Sequence, residues 1–204
     1  MKKGEIRKQE LISIAYSMFI RKGYENTSID EIIAEAGIAK GTYYYYFPSK
    51  EATLEAVIDM MIMAEVEAAK GAIQSQLSVP EKIVAVIASF RPGNGEEGIA
   101  EAVEADENIV LHDRLNKRII EEAVPLLSEV VREGIKSRIF KCGQIEERVR
   151  MILILSSAVF DETHFSENDV IAFIDAVEKI LGAKPGTMEF VRKLITEGDN
   201  DENR

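Results

Sequence analysis

Apolar residues recur at helical spacing along most of this 204-residue chain. Over residues 5–23 they form one stripe of a predicted amphipathic helix. The stripe consists of Leu11, Ile12, Ala15, Met18 and Phe19. After residue 50 the same periodicity predicts helices near 50–77, 81–90, 99–105, 107–140, 144–161 and 167–182, and a short last helix ending at 195. The pattern therefore predicts an all-α protein, with a kink where Pro125 interrupts the helix over 107–140.

Two short helices with a tight turn between them are predicted over residues 27–50. Ser28 and Glu31 match the S-x-x-E capping box that starts a helix, and Thr27 could serve as the cap instead. Gly37 follows this helix, where a left-handed residue can end it at little steric cost. A second helix can begin near residue 39 or 40 and must end before Pro48. This layout is that of a helix-turn-helix, which places its second helix in the major groove of DNA.

The tyrosine run in the second helix divides by angle. At about 100° per residue, Tyr43, Tyr46 and Phe47 share one side of the helix and are expected to enter the core of the small unit. Tyr44 and Tyr45 are then left facing outward. A run of aromatic residues can also be core alone, but a helix this short cannot bury every side.

Polar groups accompany the two outward tyrosines. Lys40 and Thr42 lie near the start of the same helix, where an ammonium and hydroxyls suit phosphate oxygens and base edges. Gly41 would let the backbone approach the duplex closely. Lys50, in the first turn of the next predicted helix, could pair with a phosphate.

The N-terminal quarter of the chain resembles the tetracycline-repressor (TetR) family of bacterial transcriptional regulators. The resemblance rests on residues 15–29, on 32–38, and on the run Lys-Gly-Thr-Tyr-Tyr-Tyr-Tyr-Phe-Pro-Ser-Lys-Glu at 40–51. It implies a helix-turn-helix DNA-binding domain over residues 1–50. It also implies a C-terminal helical bundle over 51–204 that binds an effector and dimerises.

The resemblance also implies roles for individual residues. Lys40, Gly41 and Thr42 would reach base edges, Tyr44 and Lys50 would contact phosphates, and Tyr45 would add a variable contact. The complete predicted DNA-binding set is Thr27, Ser28, Lys40, Gly41, Thr42, Tyr44, Tyr45 and Lys50. Ala39 departs from the family, where serine is frequent, and alanine cannot cap the recognition helix.

Two late helices carry a signal for self-association. Residues 151–155 are five consecutive apolar residues, so this helix must be buried on more than one side. Two chains could cover it with a four-helix interface, or it could be the central helix of a single chain; the resemblance favours a homodimer. The predicted interface residues are Ile152, Leu155, Val159, Phe173, Ile174 and Val177.

Charge has to be considered by segment. The whole chain carries a formal net charge of −11, which by itself would disfavour nucleic acid. Residues 1–50, however, contain eight Lys or Arg against six Asp or Glu, a net of +2. Only the surface that docks on DNA needs to be positive.

The single Cys142 cannot form an internal disulfide, and no transmembrane run or signal peptide is evident, so we expect a cytoplasmic protein without membrane contact.

Candidate sites beyond the helix-turn-helix are weaker. Met60, Met61 and Met63 in the middle of the helix predicted over 50–77 are typical of adaptable packing. The resemblance to the TetR family implies that this region can border an effector pocket, which Met63, Phe90, His112 and Met151 would then line. His112 and His164 show no metal-ligand spacing, and no nucleophile–base pair or phosphate loop is evident. We therefore expect no cofactor, no metal and no enzymatic activity.

The predicted function is a regulator, most simply a repressor, that binds a palindromic DNA operator as a homodimer and is released by an unknown small-molecule effector. The alternatives are the same fold controlled by a protein partner or unregulated, and an all-α enzyme.

Overall fold

The computed structural model describes residues 3–90, 96, 98, 99, 102, 109–160 and 166–191. Within these ranges the regular elements are all helices. They are α1 (Lys3–Lys22), α2 (Ile29–Ala36), α3 (Lys40–Tyr46), α4 (Lys50–Gln74), α5 (Val79–Ala88), α6 (Ile109–Lys136), α7 (Ile145–Phe160) and α8 (Glu167–Leu181). The described part of the chain contains no helix long and apolar enough to cross a membrane.

Most predicted helices occur within a few residues of their expected bounds. Helix α5 begins earlier than predicted, because Ser78 and Glu81 form a capping box and Pro80 is tolerated in the first turn. Helix α6 ends at Lys136, before the predicted end at Phe140. Pro125 lies inside α6, and the kink expected there stays a prediction. Of the helix predicted over 99–105, only Ile99 and Ala102 are described, and both are helical and buried.

The chain divides into two compact units. The first comprises residues 1–65 and 91–118, and the second comprises residues 66–90 and 119–204. The chain crosses between the units three times: within α4, after α5, and within α6. The domain boundary predicted after residue 50 stays a prediction; it falls at the start of α4, whose first sixteen residues belong to the first unit.

Each unit has its own apolar core. In the first unit, the predicted stripe of α1 is buried, and Ile32 of α2, Tyr43 of α3 and Leu54 of α4 are fully buried as well. The second unit is centred on buried residues of five helices, which include Ile83, Leu127, Ile152 and Leu181. Burial of apolar surface on this scale is the main favourable contribution to the stability of each unit.

Candidate nucleic-acid interface

The turn between α2 and α3 follows from local sequence. The Ser28 hydroxyl accepts from the Glu31 backbone N–H at 3.2 Å, and the Ser28 N–H donates to the Glu31 carboxylate at 2.9 Å, which completes the predicted capping box. At the other end of α2, Gly37 adopts the left-handed conformation, with φ of 60°. A residue with a side chain would be strained there, so Gly37 fixes the angle at which α3 leaves α2.

The N-terminus of α2 is also tied to α1. The Lys22 ammonium at the end of α1 forms an ion pair with the Glu31 carboxylate. This bond from Lys22, together with the two bonds from Ser28, lowers the pKa of Glu31 to about 2. The carboxylate therefore stays charged and orients the first turn of α2 against the end of α1.

Helix α3 is anchored through one side. The Tyr43 ring is fully buried, and its hydroxyl shares a 2.5 Å hydrogen bond with the Thr53 hydroxyl on α4. Phe47, just after α3, is 2% exposed. These two residues confirm the predicted core side. Tyr46 is only half-buried, which corrects its assignment to the core; its ring packs edge-on against that of Tyr45, with 5.0 Å between centroids.

The opposite side of α3 is open to solvent. Tyr45 is 81% exposed and Tyr44 is 43% exposed, as the angular prediction required. Lys40 and Gly41 are also exposed, while Thr42 is half-buried. Ala39 provides no side-chain cap; its carbonyl accepts from the Thr42 N–H at 2.9 Å. The structure thus brings an ammonium, two phenols and an uncapped helix start to one exposed surface, which we call the α3 surface (residues 40, 41, 44 and 45).

Lys40 has a partner that the sequence did not indicate. Its ammonium lies 3.1 Å from a carboxylate oxygen of Asp30, in the first turn of α2. The bond and the charge of Asp30 raise the pKa of Lys40, so this side chain is firmly cationic at neutral pH. No local spacing rule relates residues 30 and 40, because the turn at Gly37 brings them together.

Lys50 is held beside the turn that follows α1. Its ammonium lies 4.0 Å from the ring centroid of Tyr24 and 3.4 Å from the carbonyl oxygen of Glu25. A cation over an aromatic face is attracted by the ring quadrupole. The predicted phosphate-binding lysine is therefore positioned by contacts outside its own helix.

Two of the predicted DNA-binding residues, Thr27 and Ser28, make hydrogen bonds within the loop before α2. Thr27 is 1% exposed, and its hydroxyl donates to the carbonyl of Gly23 at 2.8 Å, so its side chain has no surface to offer to DNA. Ser28 is exposed, but its hydroxyl is engaged in the capping box with Glu31. Both residues shape the loop before α2, and their predicted part in DNA binding stays a prediction.

The predicted self-association residues divide between two environments. Ile152, Ile174 and Val177 are at most 7% exposed and belong to the core of the second unit, which leaves them little surface for a partner and corrects that part of the prediction. Val159 and Phe173 are half-buried, and Leu155 is 37% exposed. The other large apolar side chains exposed on α7 and α8, which the prediction missed, are Met151, Ile154 and Ile171.

The four predicted pocket residues are divided between the units, with Met63 and His112 in the first and Phe90 and Met151 in the second, and their role in an effector pocket stays a prediction. Met63 is 50% exposed and Met151 is 56% exposed. Phe90 packs against the core of the second unit. His112 is half-buried, with a ring nitrogen 3.2 Å from the Asn116 amide nitrogen one turn later in α6.

Comparisons with known proteins agree with this arrangement. The sequence model of "Bacterial regulatory proteins, tetR family" matches residues 11–57. The fatty acid metabolism regulator protein of Bacillus subtilis (strain 168) is 25% identical over 193 residues, which is 89% of this chain and 96% of that protein. The HTH-type transcriptional regulator EthR of Mycolicibacterium smegmatis is 31% identical over 81 residues, which is 40% of this chain and 37% of that regulator. The crystal structure of RolR in complex with resorcinol shares the fold, with a TM-score of 0.63 at 17% identity over 94% of each chain.

Proposed function

The chain belongs to the TetR family of bacterial transcriptional regulators, and from this premise we propose that it represses transcription as a homodimer bound to a palindromic DNA operator. The observation that carries the proposal is the α3 surface. Lys40, Tyr44 and Tyr45 project from a helix whose other side is locked to the core through Tyr43. A helix held in this way can enter the major groove without rearrangement.

Electrostatics supports DNA as the partner of this surface. The first fifty residues carry a net charge of +2, although the whole chain carries −11. Lys40 and Lys50 begin successive helices, α3 and α4, so one cation can reach base edges while the other neutralises a phosphate. The acidic remainder of the chain repels DNA and limits adhesion elsewhere on its surface.

Binding to genomic fragments tests the proposal. The full-length protein is incubated with sheared DNA of its source bacterium, and the retained fragments are sequenced. We expect an inverted repeat, because two equivalent α3 surfaces related by a two-fold axis require two equivalent half-sites. Retention of fragments without a shared sequence would contradict the proposal.

The exposed apolar residues of α7 support a homodimer. Met151, Ile154 and Leu155 lie at positions i, i+3 and i+4 of this helix and form a single stripe, with 56%, 50% and 37% of their surfaces exposed. On the neighbouring helix, Ile171 of α8 is 39% exposed. Contiguous apolar surface of this kind marks an interaction site. A second copy of the same two helices would bury it in a self-complementary interface.

Release by a small molecule completes the proposal. RolR is described in complex with resorcinol, and the relative from Bacillus subtilis that matches almost the whole chain is named a fatty acid metabolism regulator. We propose that this chain also responds to a small molecule, with genes of fatty acid metabolism as the first candidate targets. The effector must bind the DNA-free state more tightly than the DNA-bound state, because otherwise it shifts no equilibrium.

Two probes test the response. The operator complex is titrated with a long-chain fatty acid and, separately, with resorcinol, while DNA binding is followed by fluorescence anisotropy. Release by either probe at constant ionic strength would support regulation by a small molecule. If neither probe releases the operator, and mass spectrometry of the protein as isolated finds no bound small molecule, control by a protein partner becomes the better proposal.

A further inference from the structure

Asp30 lies beside the α3 surface and is bonded to its only lysine. The carboxylate and the Lys40 ammonium are 3.1 Å apart, and 76% of the Asp30 side chain and 63% of the Lys40 side chain are exposed. The pair bridges α2 and α3 across the turn at Gly37. It is therefore built into the surface that the proposed function assigns to DNA, and the inference below rests on that function.

The carboxylates of Asp30 and of its neighbour Glu31 have different bonding partners. Glu31 is compensated by Lys22 at the end of α1 and by the hydroxyl and N–H of Ser28. Asp30 is bonded instead to the cation that would read DNA. A phosphate that approaches Lys40 must compete with this carboxylate and also meets its negative charge.

The Lys40–Asp30 pair would make different contacts with operator DNA and with arbitrary DNA. In non-specific complexes a lysine contributes through phosphates, and such a contact would bring the duplex backbone against Asp30. At a guanine, Lys40 can donate one N–H to the base edge and keep another on Asp30, because the ammonium has three donors. A neighbouring cytosine amino group can also donate to the carboxylate.

We propose that Asp30 is a specificity-determining positioning residue: it holds the Lys40 ammonium toward base edges and suppresses non-specific binding to phosphates. Its removal strengthens binding to arbitrary DNA more than binding to the operator. The discrimination of the regulator falls even though its overall affinity for DNA rises.

Asp30→Asn tests this role, with Glu35→Gln as the matched control. Both substitutions remove one negative charge from α2, but Glu35 is an exposed residue near the C-terminal end of the helix, whereas the carboxylate that bonds Lys40 is that of Asp30. Each variant is titrated on the operator and on a scrambled duplex at several salt concentrations. Asp30→Asn should strengthen binding to the scrambled duplex by about two- to fivefold relative to Glu35→Gln, which is the range expected for release from an exposed ion pair.

The salt dependence provides a readout that a change in folding would not produce. On the scrambled duplex, the slope of log K against log salt should steepen by about one unit for each Lys40 that gains a phosphate. Asp30→Glu, which keeps the carboxylate, should restore most of the discrimination. In a Lys40→Ala background, the effect of Asp30→Asn should be clearly smaller, because only the direct repulsion between Asp30 and the phosphates then remains.

Three results would overturn the inference. These are equal effects of Asp30→Asn and Glu35→Gln, an equal gain in affinity on both duplexes, or an undiminished effect of Asp30→Asn in the Lys40→Ala background. Failure of the proposed function looks different, because the unmodified protein would then fail to distinguish the operator from the scrambled duplex.

Discussion

The Lys50 ammonium lies over the ring of Tyr24, 4.0 Å from its centroid, and also reaches the carbonyl oxygen of Glu25. The start of α4 and the turn after α1 thus hold one cation between them. Since this cation is fixed outside the recognition helix, it should sense the duplex backbone and not the base sequence.

Lys50→Ala should weaken binding to all duplexes alike. Loss of one phosphate contact per half-site lowers the salt slope by about one unit for each contact. Lys70→Ala is the control, because Lys70 is on the same helix and carries the same charge, but it is an exposed residue of the second unit and is paired with Glu67. A loss of affinity confined to one sequence would show that Lys50 reads a base.

Adjacent tyrosines offer a matched pair of hydroxyl deletions. Tyr43→Phe removes the buried hydroxyl that bonds Thr53, so it should lower the free energy of unfolding by about 0.5–1.5 kcal/mol. Tyr44→Phe removes a hydroxyl from a side chain that is 43% exposed, so it should reduce operator affinity and leave the melting temperature unchanged. Thermal melts and operator titrations on both variants check this, and the reverse ranking in the melts would refute the assignment of sides.

Short-range sequence rules predicted the helix ends and the outward-facing residues of the helix-turn-helix. The capping box of Ser28, the left-handed Gly37 and the outward tyrosines follow from spacing and from backbone sterics, which act over a few residues. The assignment of Tyr46 to the core was wrong because the angle of a residue around a helix gives the direction of its side chain but not how deeply that side chain is buried. It is the last residue of α3 and is only half-buried at the edge of the unit.

Tertiary contacts could not be predicted in the same way. Lys40 meets Asp30 only because the chain reverses at Gly37, and no periodic pattern encodes that encounter. Helix α7 has apolar residues on more than one side, and its sequence does not indicate which of these sides packs against the rest of the same chain. The prediction therefore assigned Ile152 to an interface, whereas the structure buries it and exposes Ile154.

A second matched pair tests the proposed dimer. Ile154→Glu places a charge on a residue that is 50% exposed, so it should convert the dimer to a folded monomer. Ile174→Glu places the same charge in the core of the second unit, where Ile174 is 7% exposed, and should destabilise the fold by at least about 2 kcal/mol. Light scattering and circular dichroism distinguish the two outcomes. An Ile154→Glu variant that remains dimeric would rule out this stripe as the interface.

Glu65 should make stability depend on pH in the neutral range. Burial raises the pKa of Glu65 from 4.5 to about 7, and the negative charge of Glu96 adds to the shift. The folded state therefore keeps a proton that the unfolded state releases. Its contribution to stability is fully present below about pH 4.5 and is lost as the pH rises through about 7.

Glu65→Gln should remove this dependence. The variant should gain stability relative to the unmodified protein as the pH rises from 4.5 to 7, with no further relative gain above that range. Urea unfolding at several pH values measures the difference, and Glu67→Gln, an exposed residue on the same helix, serves as the control. A constant difference between Glu65→Gln and the unmodified protein over this range would show that Glu65 titrates normally.

The α3 surface is proposed to read DNA sequence. The most direct test is whether Lys40 distinguishes one base pair from another at a single position of the operator. The unmodified protein and Lys40→Ala are titrated on the operator and on duplexes that each carry one substituted base pair per half-site. We predict that Lys40→Ala loses discrimination at one position of each half-site, worth about 1–3 kcal/mol, and keeps it at the others. Discrimination that is unchanged at every position, with affinity lowered equally for all duplexes, would contradict base reading by Lys40.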